Sequence, residues 1–230
     1  MAGKATGIVL ERDNGASCGF VNGYEQSKYE AETLVRGASV PWVIARPSML
    51  ICDDPCGAVS QFNASHYTIR LWRAALVPML PGSDESLMDV VSRDDVASSI
   101  IQLLHHPSAA GVTVHLSGGP RTLRLKDVME LAWETWREDA AWRRCAIPVP
   151  ALVDLATYSL LEQAIAETAD PLLQRIVRSI AAFAPTNAYP KSYDTRVCDA
   201  LLHRDQADPV TLWRTVFKHI ASKARARVAA

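Results

Sequence analysis

Val40-Pro41-Trp42-Val43-Ile44-Ala45-Arg46-Pro47-Ser48-Met49-Leu50-Ile51 is an almost uninterrupted apolar run that closes on Arg-Pro-Ser before its last apolar residues. Near-continuous apolar character predicts a strand buried on both faces, as in parallel sheets covered by helices on each side. Pro47 has no amide hydrogen to donate, so regular pairing stops there. In open α/β sheets the ligand crevice lies beyond the carboxyl ends of the strands. Ser48 therefore reads as a pocket-lining residue, and the loop over residues 52–64, rich in Asp, Gly and Pro, as a carrier of substrate contacts.

Upstream stands Asn22-Gly23-Tyr24-Glu25-Gln26-Ser27-Lys28-Tyr29-Glu30-Ala31-Glu32, read as a helix over 23–38 with Ala31, Leu34 and Val35 among its apolar positions. Its spacing puts Tyr24 and Lys28 on one face. A phenol normally ionises near pH ~10, so acid or base work near neutrality needs a neighbouring cation to stabilise the phenolate. Lys28 is placed to be that cation. The pattern alone is weak, and it also fits an ordinary amphipathic helix with an exposed ion-pairing face. Residues 1–22, rich in Gly and polar groups, read as a loop.

Downstream, the pattern predicts a helix around 65–75 and a proline-punctuated, non-helical stretch at Val77–Gly82. A short strand follows at Leu87–Val91. A helix from about Arg93 to His105 is capped by Ser92, with Asp94 and Asp95 in its first turn. Asp89 and Asp95 read as carboxylates that organise the fold. Val112–Leu116 is a strand, Ser117–Pro120 a turn and Leu123–Arg137 a helix. Residues 147–183 read as helix-rich, split by Pro150 and Asp170-Pro171, and a helical run ends at Leu202. A terminal amphipathic helix buries Trp213, Val216, Phe217 and Ile220 and leaves Lys218, Lys223, Arg225 and Arg227 mostly solvated.

With 230 residues, 49% hydrophobic, 21% charged and a formal net charge of −1, the chain is large enough for a sizeable core. The near-neutral balance argues against nucleic acid or an anionic membrane as partner. No apolar run is long enough to cross a bilayer, and no signal peptide is evident, which predicts a cytoplasmic protein with reduced thiols. The five cysteines are odd in number and scattered, and Cys52 and Cys56 have no second Cys/His pair at a zinc-site distance. The six histidines lack His-x-x-x-His or Glu-x-x-His spacing, so no metal is expected. No Gly-x-Ser-x-Gly elbow supports a hydrolase. His66 could sit on the substrate loop.

Four blocks in order, Gly19-Phe20-Val21-Asn22-Gly23-Tyr24 through Glu32, Ala45-Arg46-Pro47-Ser48, Met88-Asp89 through Ala97, and His115-Leu116-Ser117-Gly118-Gly119, resemble the extended short-chain dehydrogenase/reductase family. Within it they resemble the male sterility branch of thioester reductase domains and fatty acyl reductases, over roughly the first 120 residues. The resemblance implies hydride delivery from NADP or NAD to a carbonyl. Tyr24 and Lys28 would be the catalytic pair, and Lys28, Arg46, Pro47 and Ser48 the cofactor contacts. The substrate it implies is an acyl thioester, on a carrier protein or coenzyme A, or another small carbonyl compound. The family's glycine-rich pyrophosphate turn, which sets an anion at a helix N-terminus, is absent.

The expectation is an α/β protein with an incomplete Rossmann-like parallel sheet, the C-terminal half of a reductase, over 1–137, and a helix-rich substrate-side cap over 138–230. It is read as an NAD(P)H-dependent reductase needing a missing or separate nucleotide-binding half. The alternative is a non-catalytic, truncated homologue that serves as a binding module. An apolar flank left open by absent strands predicts association, either as a homo-oligomer or with a complementary chain.

Overall fold

The structure, a computed structural model, describes residues 2–228 except 55, 168, 169, 172, 173, 175–177, 179 and 182, and no side chains from 224 onward. The chain opens with β1 (Gly7–Val9), α1 (Gly23–Arg36), β2 (Val43–Pro47), β3 (Met49–Cys52) and α2 (Ala64–Arg73). Next come β4 (Met79–Pro81), β5 (Leu87–Met88), β6 (Val90–Ser92), α3 (Arg93–His105), β7 (Val112–Leu116), β8 (Leu123–Arg124) and α4 (Leu125–Arg137). The C-terminal part adds α5 (Ala140–Arg144), β9 (Ala151–Val153), α6 (Leu155–Ala166), β10 (Lys191–Tyr193) and the helices Arg196–Leu201 and Pro209–Val228. Part of the stretch 147–183 lies outside the described residues.

Four strand pairs are parallel, β1 with β10, β2 with β7, β3 with β6 and β4 with β9, and β5 with β8 is antiparallel. The chain is thus an α/β protein of Rossmann-like parallel pairing. The apolar run forms two strands because the chain changes neighbour at Ser48. The Ser48 amide donates to the Leu116 carbonyl at 3.0 Å, and the next amide, that of Met49, donates to Asp89. The run is not buried on both faces along its length: in β2 only Ile44 is buried, in β3 only Ile51 and Cys52.

Local chemistry sets the helix starts. Asn22 accepts from the Glu25 amide at 3.0 Å, which satisfies one orphan donor of α1, while the Glu25 carboxylate accepts from the Val21 amide at 2.8 Å and ties down the chain entering the helix. Ser92 accepts from the Asp95 amide at 3.2 Å and starts α3 where the sequence places it. The strand β1 lies in the stretch 1–22 that the pattern reads as loop, and β10 in one to which it assigns no element, because a strand of three residues shows no periodicity.

The larger core gathers α4 and the C-terminal helix around Trp136, whose ring meets Trp72, Trp142 and Phe217 edge-on. Its indole N–H donates to the Phe217 carbonyl at 3.1 Å, so the buried donor is satisfied. Trp213, Val216, Phe217 and Ile220 are all buried on one side of that terminal helix. The pairs β1·β10 and β4·β9 tie the first 137 residues to the remainder.

Candidate active site

Alternation along β2 and β7 sends Val43, Ala45, Val112, Val114 and Leu116 to one face, where they join a core with Val91, Val96 and Leu103 of β6 and α3. The other face carries Ile44, Arg46, Thr113 and His115, and there α1 is held by polar bonds. Arg46 forks onto the Glu32 carboxylate at 2.8 and 2.7 Å, and its remaining nitrogen donates to the Asp13 carbonyl at 2.6 Å and the Glu11 carbonyl at 3.3 Å. Arg36 donates to Thr113 at 3.0 Å. Burial pushes Glu32 up, and the Arg46 hydrogen bonds together with the positive charges of the N-terminus, Arg46 and Arg36 more than offset this, so its carboxyl sits below the usual range.

Glu11 is buried beneath this network, and its carboxylate accepts from the amides of His115 and Cys198, each at 3.0 Å, and of Val197 at 2.6 Å. Burial raises its pKa against the lowering effect of those amides. Burial also pushes His115 down to about 4, so the ring is neutral. Its Nδ1 lies 2.9 Å from the Asp194 carbonyl, which can only accept, so that nitrogen carries the hydrogen and Nε2 faces Arg46 as acceptor at 3.3 Å.

Tyr24 and Lys28 sit on the outward side of α1, near its start. The Lys28 ammonium lies 5.4 Å from the centroid of the Tyr24 ring, and Phe183 meets that ring edge-on at 6.1 Å. Tyr24 is 54% exposed. Pro47, also exposed, ends β2 in register with Leu116. Ser48 donates from its hydroxyl to Asp89 Oδ1 at 3.2 Å, and the Gly118 amide donates to the same oxygen at 2.8 Å. The other carboxylate oxygen of Asp89 is buried and unpartnered among the described residues. Burial raises the Asp89 pKa against those hydrogen bonds.

One residue joining these parts escapes sequence reading. The buried phenol of Tyr193 is raised first by burial, then by the charges of Asp89 and Glu25, against Arg46. Its ring meets that of His115 edge-on at 5.2 Å, and its strand lies beside β1. The only signal it offers is its place in Lys191-Ser192-Tyr193, too short for a period. Asp95 is structural, held by the buried Arg204 at 2.5 Å, and Arg204 also donates to the Ser117 carbonyl at 3.0 Å. His66 is not on a substrate loop but caps α2 from inside, with Nε2 2.8 Å from the Ile51 carbonyl. Cys52 is pushed up to about 12 by burial and then by Asp54, Asp53 and Asp94, which makes it a poor nucleophile. No three His, Cys, Asp or Glu side chains are grouped to hold a metal among the described residues, and no described helix is long and apolar enough to cross a membrane.

Among the described residues no glycine turn opens a helix toward a pyrophosphate: Gly3, Gly7, Gly15 and Gly19 take positive φ in loops or beside β1, and Gly23 starts α1 behind the Asn22 cap.

Residues 2–100 match the family model described as "Male sterility protein". Among solved structures the chain is similar to the terminal R domain from the myxalamid PKS-NRPS biosynthetic pathway, with 23% identity and a TM-score of 0.67 over 95% of this chain and 55% of that one. It is also similar to a thiolation-reductase di-domain from an archaeal non-ribosomal peptide synthetase, with 18% identity and a TM-score of 0.59 over 95% of this chain and 44% of the other. RMD from Pseudomonas aeruginosa, complexed with NADPH, follows with 15% identity and a TM-score of 0.52 over 89% and 58%. The chain therefore spans about half the length of these structures. No curated protein matches it.

Proposed function

We propose that this chain, similar to the male sterility proteins over its first hundred residues and to reductase domains in fold, is the catalytic and substrate half of an NAD(P)H-dependent reductase. The observation that carries this reading is the placement of Tyr24 and Lys28 side by side on an open face of α1, with a braced strand end, Pro47-Ser48, in the same unit. Tyr24 gives its proton to the carbonyl oxygen as negative charge develops there. The Lys28 ammonium stabilises the phenolate left behind and contacts the ribose hydroxyls. Pro47 and Ser48 border the nicotinamide, and Asp89 holds the Ser48 hydroxyl in place. Arg46 acts as the brace of α1, since its three guanidinium nitrogens are engaged inward.

The cofactor, NADPH or NADH, supplies the hydride when bound. The substrate class is an acyl thioester on a carrier protein or coenzyme A: hydride adds to the carbonyl carbon, the oxygen is protonated, and loss of the thiol leaves an aldehyde, which a second reduction takes to the alcohol. The test is NADPH oxidation with acyl-coenzyme A or acyl-carrier substrates. Turnover that falls by about 10²-fold or more in Tyr24→Phe is expected, and no oxidation above that variant overturns the reading. A second reading, a non-catalytic binding module, is favoured by the missing pyrophosphate cradle, and tight NADPH binding by the isolated chain would sink it.

A further inference from the structure

Tyr24 has two neighbours of opposite chemistry. The Lys28 ammonium stands over its ring, 5.4 Å from the centroid, and the Phe183 ring meets it edge-on at 6.1 Å. Phe183 belongs to neither core and is 44% exposed, a large apolar ring left nearly half in water. Its position is nonetheless fixed. Its amide donates to the Ile180 carbonyl at 3.1 Å, and its carbonyl accepts from the Thr186 amide at 3.0 Å and the Thr186 hydroxyl at 2.6 Å. Ile180 and Ala184, on either side of it in the chain, are buried in the larger core. A ring held on an anchored turn, set against the phenol and still open to solvent, has the form of one wall of a ligand slot. The stretch that carries it, Phe183-Ala184-Pro185-Thr186-Asn187-Ala188-Tyr189-Pro190, holds no charged residue. The next residue, Lys191, is half-buried, and its ammonium donates to the Gly3 carbonyl. This wall therefore offers apolar surface and no counter-charge.

We propose that Phe183 determines which acyl group is accepted: an apolar chain, aliphatic or aryl, lies against its ring while the thioester carbonyl faces the Tyr24 hydroxyl. This deepens the reductase reading above and rests on it. Lys28 takes the ribose in that reading, so the Phe183 side of the phenol falls to the substrate. A chain of several methylenes covers the Phe183 ring and gains from the apolar area that both remove from water. An acetyl group covers little of it. A chain ending in a carboxylate would give up hydration against this wall without meeting a partner.

The probes are octanoyl-, acetyl- and succinyl-coenzyme A, titrated calorimetrically into the full chain, a measurement that needs no hydride transfer. Octanoyl-coenzyme A should bind about 10-fold more tightly than either of the others. Phe183→Ala should remove that preference and Phe183→Leu should keep most of it, both with the melting temperature of the chain unchanged. Tyr24→Phe should bind octanoyl-coenzyme A as the parent chain does. No binding, equal binding of the three probes, or a preference that survives Phe183→Ala overturns the inference. An octanoyl preference that Phe183→Ala removes, with no octanoyl-dependent NADPH oxidation, upholds the acyl wall and removes the reductase reading instead. Oxidation that is lost in Tyr24→Phe but indifferent to the acyl chain upholds the reading and overturns the wall.

Discussion

Where α3 crosses the β2·β7 pair, Val114 and Leu116 are wholly buried among Val91, Val96 and Leu103; where α1 crosses the same two strands, the contacts are Arg46 on Glu32 and Arg36 on Thr113, and beside them Glu11 of the preceding segment accepts from the His115 amide. The first face gains from area removed from water, which is non-directional and tolerant of small shifts. The second depends on partners, each buried group needing its counterpart in place. Charges are an expensive way to attach a helix, but they fix its rotation. They also leave the apolar side of α1 free, with Tyr24 and Lys28 on it.

The widest separation between the faces should come from Leu116→Ala. It removes a fully buried side chain on the α3 face and should cost about 2–5 kcal/mol in denaturant unfolding. A loss below about 1 kcal/mol would break the comparison. On the α1 face, Glu11→Ala strands the amides of His115, Val197 and Cys198 and should cost about 2–3 kcal/mol. Amide exchange should show those three positions losing protection first.

Acid should also separate the faces. A histidine depressed from 6.5 to about 4 takes up its proton only in the unfolded chain across that window, so stability falls as pH drops through it, by about 3 kcal/mol. Glu11 works the other way, because a carboxyl raised by burial favours folding as it becomes protonated. A His115→Gln variant should therefore lose the acid-side fall in a pH series of melting temperatures, and an unchanged profile would remove His115 as the cause. The smallest effect is expected on the outward side of α1, where Leu34→Ser should leave the stability of the isolated chain within about 0.5 kcal/mol. A larger loss would mean that this leucine is packed.

Much of this architecture is legible in local chemistry. Ser92 with Asp94 and Asp95 marks the start of α3, and Trp213, Val216, Phe217 and Ile220 declare the inner face of the last helix. The same reasoning marks Ala31, Leu34 and Val35 as the apolar positions of α1, and in the structure all three are exposed. Hydrophobic periodicity reports that a helix has two faces, and the inward one is selected by what the neighbouring strands offer. Here β2 and β7 offer Arg46 and His115. Tyr193 was invisible for a related reason: its strand pairs with Gly7–Val9, more than 180 residues away along the chain.

What the sequence determined by itself was the set of elements and the pairing of a phenol with an ammonium, because caps, prolines and helical spacing act within a few residues. Which way α1 faces, and the company kept by Asp89, Glu11 and Tyr193, only the tertiary structure decided. Those contacts join segments far apart in the chain, and the burial that shifts their proton affinities exists only once the segments have met.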